Sequence, residues 1–245
     1  MRVMTYNIHS GVGTDGQHNY RRIGLLLADL CVDIALLQEM DTRPTHRSTE
    51  ADIRDLCGDH FQWLLPSPTI IENDGWYGNA ILTRYPAIFC NTVDVSQVGF
   101  QPRNIQEAII QTGEGPLHVV NTHKGLKRLE RRRQIALLDQ HLQQTDRTGA
   151  VPLLVAGDFN EWQLLTSTFK ALNQSLMPHP VGATFPSSWP LFKLDRVWSR
   201  PKELVTRANV IKTEQARMYS DHLPVVIDLE YLDRCQSSSM HHDSA

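Results

Sequence analysis

The sequence predicts an α/β fold in which two mixed β-sheets pack together and helices cover them from outside. Many short apolar segments have the length of strands, and Gly- or Pro-containing turns join several of them as hairpins. Only a few segments have helical spacing, whereas a doubly wound parallel sheet would alternate strand and helix. No linker or fixed short repeat divides the sequence, so we expect a single domain over residues 1–235.

The first part of the chain combines two strands with an amphipathic helix. Residues 1–8 alternate in polarity like a strand, and residues 33–38 form an apolar run that ends at Glu39. Between them, apolar residues recur at 3, 4, 3 spacing and predict a helix with one buried stripe, made of Tyr20, Ile23, Leu27 and Leu30. Asn19 stands where a helix N-cap is expected.

Strands predominate in the rest of the chain. In the middle we predict strands over residues 61–65, 79–83, 87–95, 106–111 and 117–122. A helix over residues 125–142 would bury Ile135, Leu138 and Leu142, and a shorter helix is predicted over residues 162–172. A Pro-rich loop spans residues 178–190. The remaining strands are predicted over residues 152–156, 195–199, 204–211 and 223–229.

Composition indicates an ordinary globular protein, with 41% hydrophobic and 21% charged residues. A net charge of −3 gives no general attraction to nucleic acid, so any attraction to phosphate must be local. The N-terminus lacks the apolar core of a secretory signal, and no apolar run is long enough to span a bilayer. We therefore expect a cytoplasmic monomer without a transmembrane segment, and a disordered tail over residues 236–245.

The cysteines share no CxxC spacing, and they are Cys31, Cys57, Cys90 and Cys235. This pattern is that of reduced packing residues in a cytosolic protein, and it provides neither a zinc site nor a disulfide framework.

Candidate site residues share one placement, because most of them follow an apolar strand. Asn7, Glu39, His123 and Asp158 stand at strand ends, and the pair Asp221-His222 precedes the apolar segment over residues 223–229. Any one of them alone is more typical of a turn or a helix cap. Together they indicate a site, because one edge of a sandwich gathers side chains that are distant in sequence.

The donor types at these positions indicate a divalent cation of the Mg²⁺ or Mn²⁺ type. The carboxylates and amides at these positions supply only oxygen ligands, which excludes the ligand sets usual for zinc and copper. These residues are Glu39, Asp158, Asp221, Asn7 and Asn160. Such an ion would neutralise a phosphate and stabilise developing charge. His123 and His222 could transfer protons or donate to a phosphoryl oxygen near neutral pH.

Asp195 is the candidate that would orient His222. The alternative is a salt bridge from Asp195 to Lys193 or Arg196. Arg196 is a poor partner, because adjacent strand residues point to opposite faces.

Seven motifs in this order resemble the endonuclease/exonuclease/phosphatase superfamily: TYNIH, LLQEMD, GNAILT, NTHKGL, GDFN, LDRVW and SDHLPVVIDL. The superfamily includes pancreatic deoxyribonuclease, apurinic endonucleases, neutral sphingomyelinases and inositol polyphosphate phosphatases. The resemblance covers residues 1–230, and the segment ATFPSSWPLFKLDRVW is similar to small bacterial members. It implies a four-layer α/β sandwich of the deoxyribonuclease I type.

The resemblance also implies roles for the candidate residues. Glu39 resembles the principal metal carboxylate, with Asn7 and Asp221 near the same ion. Asp158 and Asn160 resemble the pair that positions the attacking water and the phosphate.

Two histidines complete the implied site. Asp195 resembles the carboxylate that orients His222. His123 matches a histidine of the deoxyribonuclease and sphingomyelinase branches, where apurinic endonucleases have tyrosine, which argues against abasic-site repair.

Several residues are candidates for substrate binding. Asn79 resembles a phosphate-side or structural amide, and Arg103 could reach a phosphate or form a salt bridge in a turn. Lys124 begins a basic run that extends to residue 133, and it could line the rim of the site together with Lys127. The later arginines of this run fit a solvated helix face. Trp189 and Phe185 could contact a base, a sugar or an acyl chain, or could instead hold their loop in place.

The expected activity is Mg²⁺-dependent phosphodiester hydrolysis of a nucleic acid or a phospholipid headgroup by in-line attack of water. Alternatives are a phosphomonoesterase acting on a sugar or inositol phosphate, and a non-catalytic phosphate-binding module on the same fold. Asp158, and His222 with Asp195, are alternative general bases.

Overall fold

The computed structural model describes residues 1–43, 48–72, 74–145, 150–163 and 166–231. These residues form two six-stranded mixed sheets that pack face to face. The fold confirms the predicted pair of packed mixed sheets. The expected tail over residues 236–245, and Cys235 before it, lie outside the described residues.

The first sheet has the order β11-β12-β1-β2-β4-β3. Its strands are β1 (Arg2–Asn7), β2 (Ile34–Asp41), β3 (Trp63–Glu72), β4 (Gly75–Thr83), β11 (Val205–Val210) and β12 (Val225–Leu229). β1 and β2 are parallel, and every other neighbouring pair is antiparallel. The carboxyl ends of β1 and β2 therefore meet at one edge, where Asn7 pairs with Gln38.

The second sheet has the order β5-β6-β7-β8-β10-β9. Its strands are β5 (Ala87–Asp94), β6 (Asn104–Thr112), β7 (Gly115–His123), β8 (Leu153–Asp158), β9 (Met177–His179) and β10 (Asp195–Arg200). β7 and β8 are parallel, so His123 pairs with Asp158 at their carboxyl ends. β10 is antiparallel to β8 and begins at the same edge, where Asp195 pairs with Asp158.

Helices cover the outer face of each sheet and complete four layers. They are α1 (Tyr20–Asp29), α2 (Thr49–Cys57), α3 (Arg128–Thr145), α4 (Leu172–Ser175) and α5 (Glu214–Tyr219). α1, α2 and α5 bury apolar side chains against the first sheet, and α3 and α4 against the second. A third apolar cluster fills the space between the sheets. No helix among the described residues is long and apolar enough to cross a membrane.

The structure corrects several predicted elements. The helix expected over residues 162–172 is wrong for the described part of that segment, which contains bends and turns before the short α4. Its apolar residue Phe169 instead packs edge-on against Phe159, at a ring-centroid distance of 5.7 Å. The prediction of packing cysteines is wrong for Cys31 and Cys90, which are exposed; Cys31, Cys57 and Cys90 are free thiols.

The approach of β8 to β7 explains the glycine of the GDFN motif. Gly157 has φ +152°, and a Cβ added there would lie 2.0 Å from the carbonyl oxygen of Thr122. Only glycine fits this left-handed conformation so close to a neighbouring backbone. The contact brings Asp158 to the strand end beside His123.

Candidate active site

The buried carboxylate of Asp158 joins the side chains of several strand ends. Asp158 Oδ2 accepts a hydrogen bond from Asn7 Nδ2 at 3.0 Å. The same oxygen lies 3.5 Å from His123 Nε2 and 3.6 Å from His222 Nε2. Its other oxygen accepts from the backbone N–H of Asn160 at 2.8 Å. The fold thus brings together five predicted site residues from both sheets.

Glu39 supplies the more accessible carboxylate. Its Oε1 accepts from Asn7 Nδ2 at 3.0 Å and lies 3.7 Å from His123 Nε2, and its side chain is 23% exposed. β2 does not end before Glu39 as predicted, because a register shift between Leu37 and Met40 lets the strand continue. Glu39 adopts φ +58° at this bulge, a strained conformation for a residue with a side chain. The bulge changes the direction in which the carboxylate points.

His222 has the partner predicted for it. His222 Nδ1 lies 3.1 Å from Asp195 Oδ2, and both side chains are almost fully buried. Arg196, the next residue, points to the other face of β10, where its guanidinium stacks over Phe169 at 5.3 Å. The alternative pairing of Asp195 with Arg196 is therefore absent, as the alternation of strand side chains predicts.

The two histidines lie in opposite electrostatic environments. Burial lowers the pKa of His222, but the carboxylates of Asp158 and Asp195 outweigh it and raise this pKa to about 10. Burial lowers the pKa of His123 well below its ordinary value, and the positive charges of Arg103 and His222 lower it further. Burial also raises the pKa of Asp158, to about 6. At neutral pH the site therefore holds one cationic and one neutral imidazole.

The turn before β12 attaches Asp221 and His222 to the first sheet. Ser220 Oγ donates to the backbone oxygen of Asn7 at 2.7 Å, and the backbone N–H of His222 donates to Ser220 Oγ at 3.3 Å. The backbone oxygen of Asp221 accepts from the N–H of Ser187 at 2.7 Å. Sequence reasoning did not single out Ser220, although its place beside two candidate residues in the SDH motif was a usable signal.

Behind the site, a buried amide network connects the two sheets. Gln38 Nε2 donates to Asn121 Oδ1 at 2.8 Å, and Asn121 Nδ2 faces Gln106 Oε1 at 3.1 Å and the backbone oxygens of Leu37 and Ala80. Sequence reasoning also missed these amides. Gln38 precedes Glu39, and Asn121 stands two residues before His123, so each lies next to a site residue along its strand.

Asn160 joins the site through its own amide. Asn160 Nδ2 donates to the backbone oxygen of Lys124 at 2.9 Å and lies 3.1 Å from His123 Nε2. Asn160 also adopts a left-handed conformation, with φ +49°. Like Glu39, it is a strained residue at the site, as is common for functional positions.

The three predicted substrate-binding residues lie in three different environments. Asn79 is buried away from these contacts, and its Nδ2 donates to Asn104 Oδ1 at 2.8 Å. Arg103 is 5% exposed and lies close enough for its charge to act on His123. Lys124 is fully buried, so the expectation that it lines an exposed rim is wrong. Its Nζ has no hydrogen-bond partner among the described residues, and burial lowers its pKa to about 7.

The donor set fits a hard cation held mainly by water and substrate. Within the described ranges, no three His, Cys, Asp or Glu side chains are arranged to enclose a metal ion. Mg²⁺ in phosphoryl-transfer sites commonly has only one or two carboxylate ligands and takes the rest from water and phosphate oxygens. The partly exposed carboxylate of Glu39 suits such an open site.

Comparison with curated proteins gives relatives of similar length, among them YbhP of Escherichia coli and of Shigella flexneri. The Escherichia coli (strain K12) uncharacterized protein YbhP is 28% identical over 253 residues, which cover 93% of this chain and 95% of YbhP.

Solved structures share the fold at low sequence identity. A Bacteroides thetaiotaomicron mannosyl-6-phosphatase superposes with a TM-score of 0.76 at 18% identity, over 94% of this chain and 100% of that one. D. rerio TDP2 complexed with single-strand DNA product superposes with a TM-score of 0.69 at 15% identity, over 93% of this chain and 97% of that one. An endonuclease/exonuclease/phosphatase from Beutenbergia cavernae superposes with a TM-score of 0.74 at 22% identity, over 94% of this chain and 71% of that one.

The model of one protein family matches residues 4–222, which include every site residue described above. The chain belongs to the endonuclease/exonuclease/phosphatase family.

Proposed function

We propose that this chain is a Mg²⁺- or Mn²⁺-dependent phosphodiesterase that hydrolyses its substrate by in-line attack of water on phosphorus. The observation that carries the proposal is the position of Asp158, whose Oδ2 lies within hydrogen-bonding or near-contact distance of Asn7, His123 and His222. Two carboxylates, one cationic imidazole and one neutral imidazole can bind a phosphoryl group and transfer protons around it.

Glu39 would hold the divalent cation, with Asn7 and Asp221 beside it. When bound, such a cation neutralises phosphate charge and stabilises the charge that develops in the transition state. Asn7 Oδ1 accepts from the backbone N–H of His9 at 3.1 Å, while Asn7 Nδ2 donates to the carboxylates of both Glu39 and Asp158. Asn7 therefore orders this acidic pair.

The charge states favour a division of roles between the acid and the histidines. His222, held cationic between two carboxylates, would donate to a phosphoryl oxygen, and Asp195 would fix the orientation of its ring. Asp158, with a pKa of about 6, would accept a proton from the attacking water. Neutral His123 and Asn160 would bind the phosphate. The new P–O bond would form as the bond to the leaving oxygen breaks. The leaving oxygen would take a proton from solvent water, and Asp158 would release its proton to solvent.

A phosphomonoesterase acting on a sugar phosphate is the second candidate. The observation that favours it is the shared fold of the Bacteroides thetaiotaomicron mannosyl-6-phosphatase, which this chain covers over its whole length. Comparing p-nitrophenyl phosphate, a monoester, with bis-p-nitrophenyl phosphate, a diester, separates the two candidates.

The test of the proposed function is hydrolysis of bis-p-nitrophenyl phosphate. We expect turnover with Mg²⁺ or Mn²⁺, loss of turnover in EDTA and recovery when Mg²⁺ is added back. Glu39→Gln should lower kcat/KM by roughly 100-fold or more, because it removes the proposed metal carboxylate. Glu203→Gln, at an exposed carboxylate beside Lys202, is the matched control and should retain wild-type activity. Full activity in EDTA, or full activity of Glu39→Gln, would refute the metal assignment.

A further inference from the structure

Three connections near the site expose apolar side chains to solvent. We name as rim segments residues 96–102, between β5 and β6, residues 126–129, which lead into the first turn of α3, and residues 187–193, before β10. The rim segments expose six large apolar side chains: Val98, Phe100, Leu126, Leu129, Trp189 and Leu191. Trp189 is 73% exposed. Single exposed apolar residues are common on protein surfaces, but a concentration of them indicates an interaction site.

The rim segments all lie at the edge of the second sheet that holds the site. Leu126 follows His123 by three residues, and β6 begins opposite the end of β7, where Ile105 pairs with Thr122. The first rim segment reaches α3, because Arg133 donates to Gln97 Oε1 at 3.4 Å. The third belongs to a hairpin whose Phe185 ring lies 4.9 Å from the ring of His222.

Backbone hydrogen bonds hold the third rim segment in shape. The N–H of Phe185 donates to the oxygen of Phe192, and the N–H of Leu191 donates back to the oxygen of Phe185. Arg217 also donates to the backbone oxygens of Ser187 and Ser188, at 2.8 and 2.9 Å. Trp189 and Leu191 are therefore presented to solvent by a braced hairpin.

Charge in the rim segments differs from charge in the rest of the chain. The whole sequence has 24 Lys and Arg against 27 Asp and Glu. The rim segments contain no Asp or Glu, and their charged residues, Lys127, Arg128 and Lys193, are all exposed cations. A surface that combines exposed apolar side chains with cations is complementary to the anionic headgroups and upper acyl region of a lipid bilayer.

We propose that the rim segments bind an anionic phospholipid membrane surface and present the candidate site to the lipid headgroups. The aliphatic side chains favour a membrane over a single-stranded nucleic acid, because bases stack on aromatic rings and four of the six exposed side chains are aliphatic. That the bound headgroups are also the substrate rests on the proposed function, whereas membrane binding itself needs no catalysis.

The test measures sedimentation of the full chain with two kinds of vesicle, phosphatidylcholine alone and phosphatidylcholine mixed with phosphatidylglycerol. We expect binding to the mixed vesicles, weakened by salt because the cations contribute. The variant Leu126→Ser/Leu129→Ser/Trp189→Ser should bind at least about tenfold more weakly, because three side chains no longer insert. The matched control Leu25→Ser/Ile88→Ser/Met177→Ser replaces exposed apolar residues elsewhere and should bind like wild type.

A second variant separates the charge contribution. Lys127→Glu/Arg128→Glu should lose binding to the phosphatidylglycerol vesicles, and thermal unfolding shows whether each variant still folds. No vesicle binding by the wild type, or binding that is unaffected by the triple rim variant, would overturn the proposal. Binding of a single-stranded oligonucleotide that depends on Lys127 and Arg128, without vesicle binding, would assign the cations to nucleic acid and also overturn it.

Hydrolysis of the soluble diester bis-p-nitrophenyl phosphate by the wild type, measured in parallel, separates the two proposals. Hydrolysis without vesicle binding refutes the membrane surface and leaves the proposed function standing. Vesicle binding without hydrolysis supports the membrane surface and refutes the proposed function.

Discussion

Asp158 lies beside two histidines, one of which is cationic and the other neutral at neutral pH. His222 lies between two carboxylates that raise its pKa, whereas His123 is buried near positive charges that lower its pKa. Asp158 Oδ2 is nearly equidistant from the two Nε2 atoms, at 3.6 and 3.5 Å. The site thus offers a cationic donor and a neutral imidazole on either side of one proton acceptor, which suits a phosphate whose charge changes during reaction.

Asp195→Asn should lower the pKa of His222, because it removes one of the two carboxylates that raise it. Because a lower pKa leaves the imidazole neutral at lower pH, the alkaline limb of the pH–kcat/KM profile should move toward neutrality. The maximal rate should also fall by roughly 100- to 10,000-fold if His222 donates to phosphate. The measurements are the pH–rate profile and an NMR titration of the His222 ring.

Asp228→Asn is the matched control for this experiment, since Asp228 forms a surface ion pair with Arg2 and has no contact with His222. Its profile should match the wild type. An Asp195→Asn enzyme whose alkaline limb does not move would contradict the assigned role of Asp195.

At the level of elements, the sequence predicts best where burial is continuous. β1, β2, β7 and β8 are buried over almost their whole length, and each begins and ends within a few residues of its predicted bounds. α2 and α5 were not predicted, because they are short and bury few apolar residues. Their clearest local signals are the N-caps Ser48 and Thr213, which have no apolar stripe to support them. The segment before Leu172 contains the apolar residues that predict a helix, but its described residues form bends and turns.

Some features of the candidate site can also be predicted from the sequence, and others cannot. Charged and amide groups at strand ends could be recognised from the sequence because their chemistry is unusual there. The bulge at Glu39 and the burial of Lys124 could not, because both depend on how neighbouring strands pair and pack. Asn121 sits within an apolar-patterned strand, and its partners lie far away in the sequence.

Gly157→Ala tests the close approach of β7 and β8. An added Cβ would collide with the Thr122 carbonyl oxygen, and φ +152° is strained for alanine. We expect the free energy of unfolding in urea to fall by about 2–4 kcal/mol. The control Gly113→Ala has open space around its Cβ and should leave stability within about 0.5 kcal/mol of wild type. Equal stability of the two variants would refute the packing argument.

The whole molecule places its site across two sheets. Asn7 and Glu39 belong to the first sheet, and His123 and Asp158 belong to the second. The distances among them therefore depend on how the sheets pack, and a change between the sheets reaches the site without altering any site residue. Asn121 is the point at which this dependence can be tested, because it hydrogen-bonds from the second sheet to the first directly behind Glu39.

Asn121→Ala should reduce both stability and activity. The substitution removes hydrogen bonds to Gln38, Gln106 and two backbone oxygens and leaves those buried groups unpaired, which should lower the free energy of unfolding by about 2–4 kcal/mol. Because Gln38 adjoins Glu39, kcat/KM on bis-p-nitrophenyl phosphate should fall even at temperatures where the variant is fully folded. Gln111→Ala, at an exposed amide on β6, should change neither quantity measurably. Loss of stability with unchanged kcat/KM would show that the inter-sheet network supports the fold without positioning Glu39.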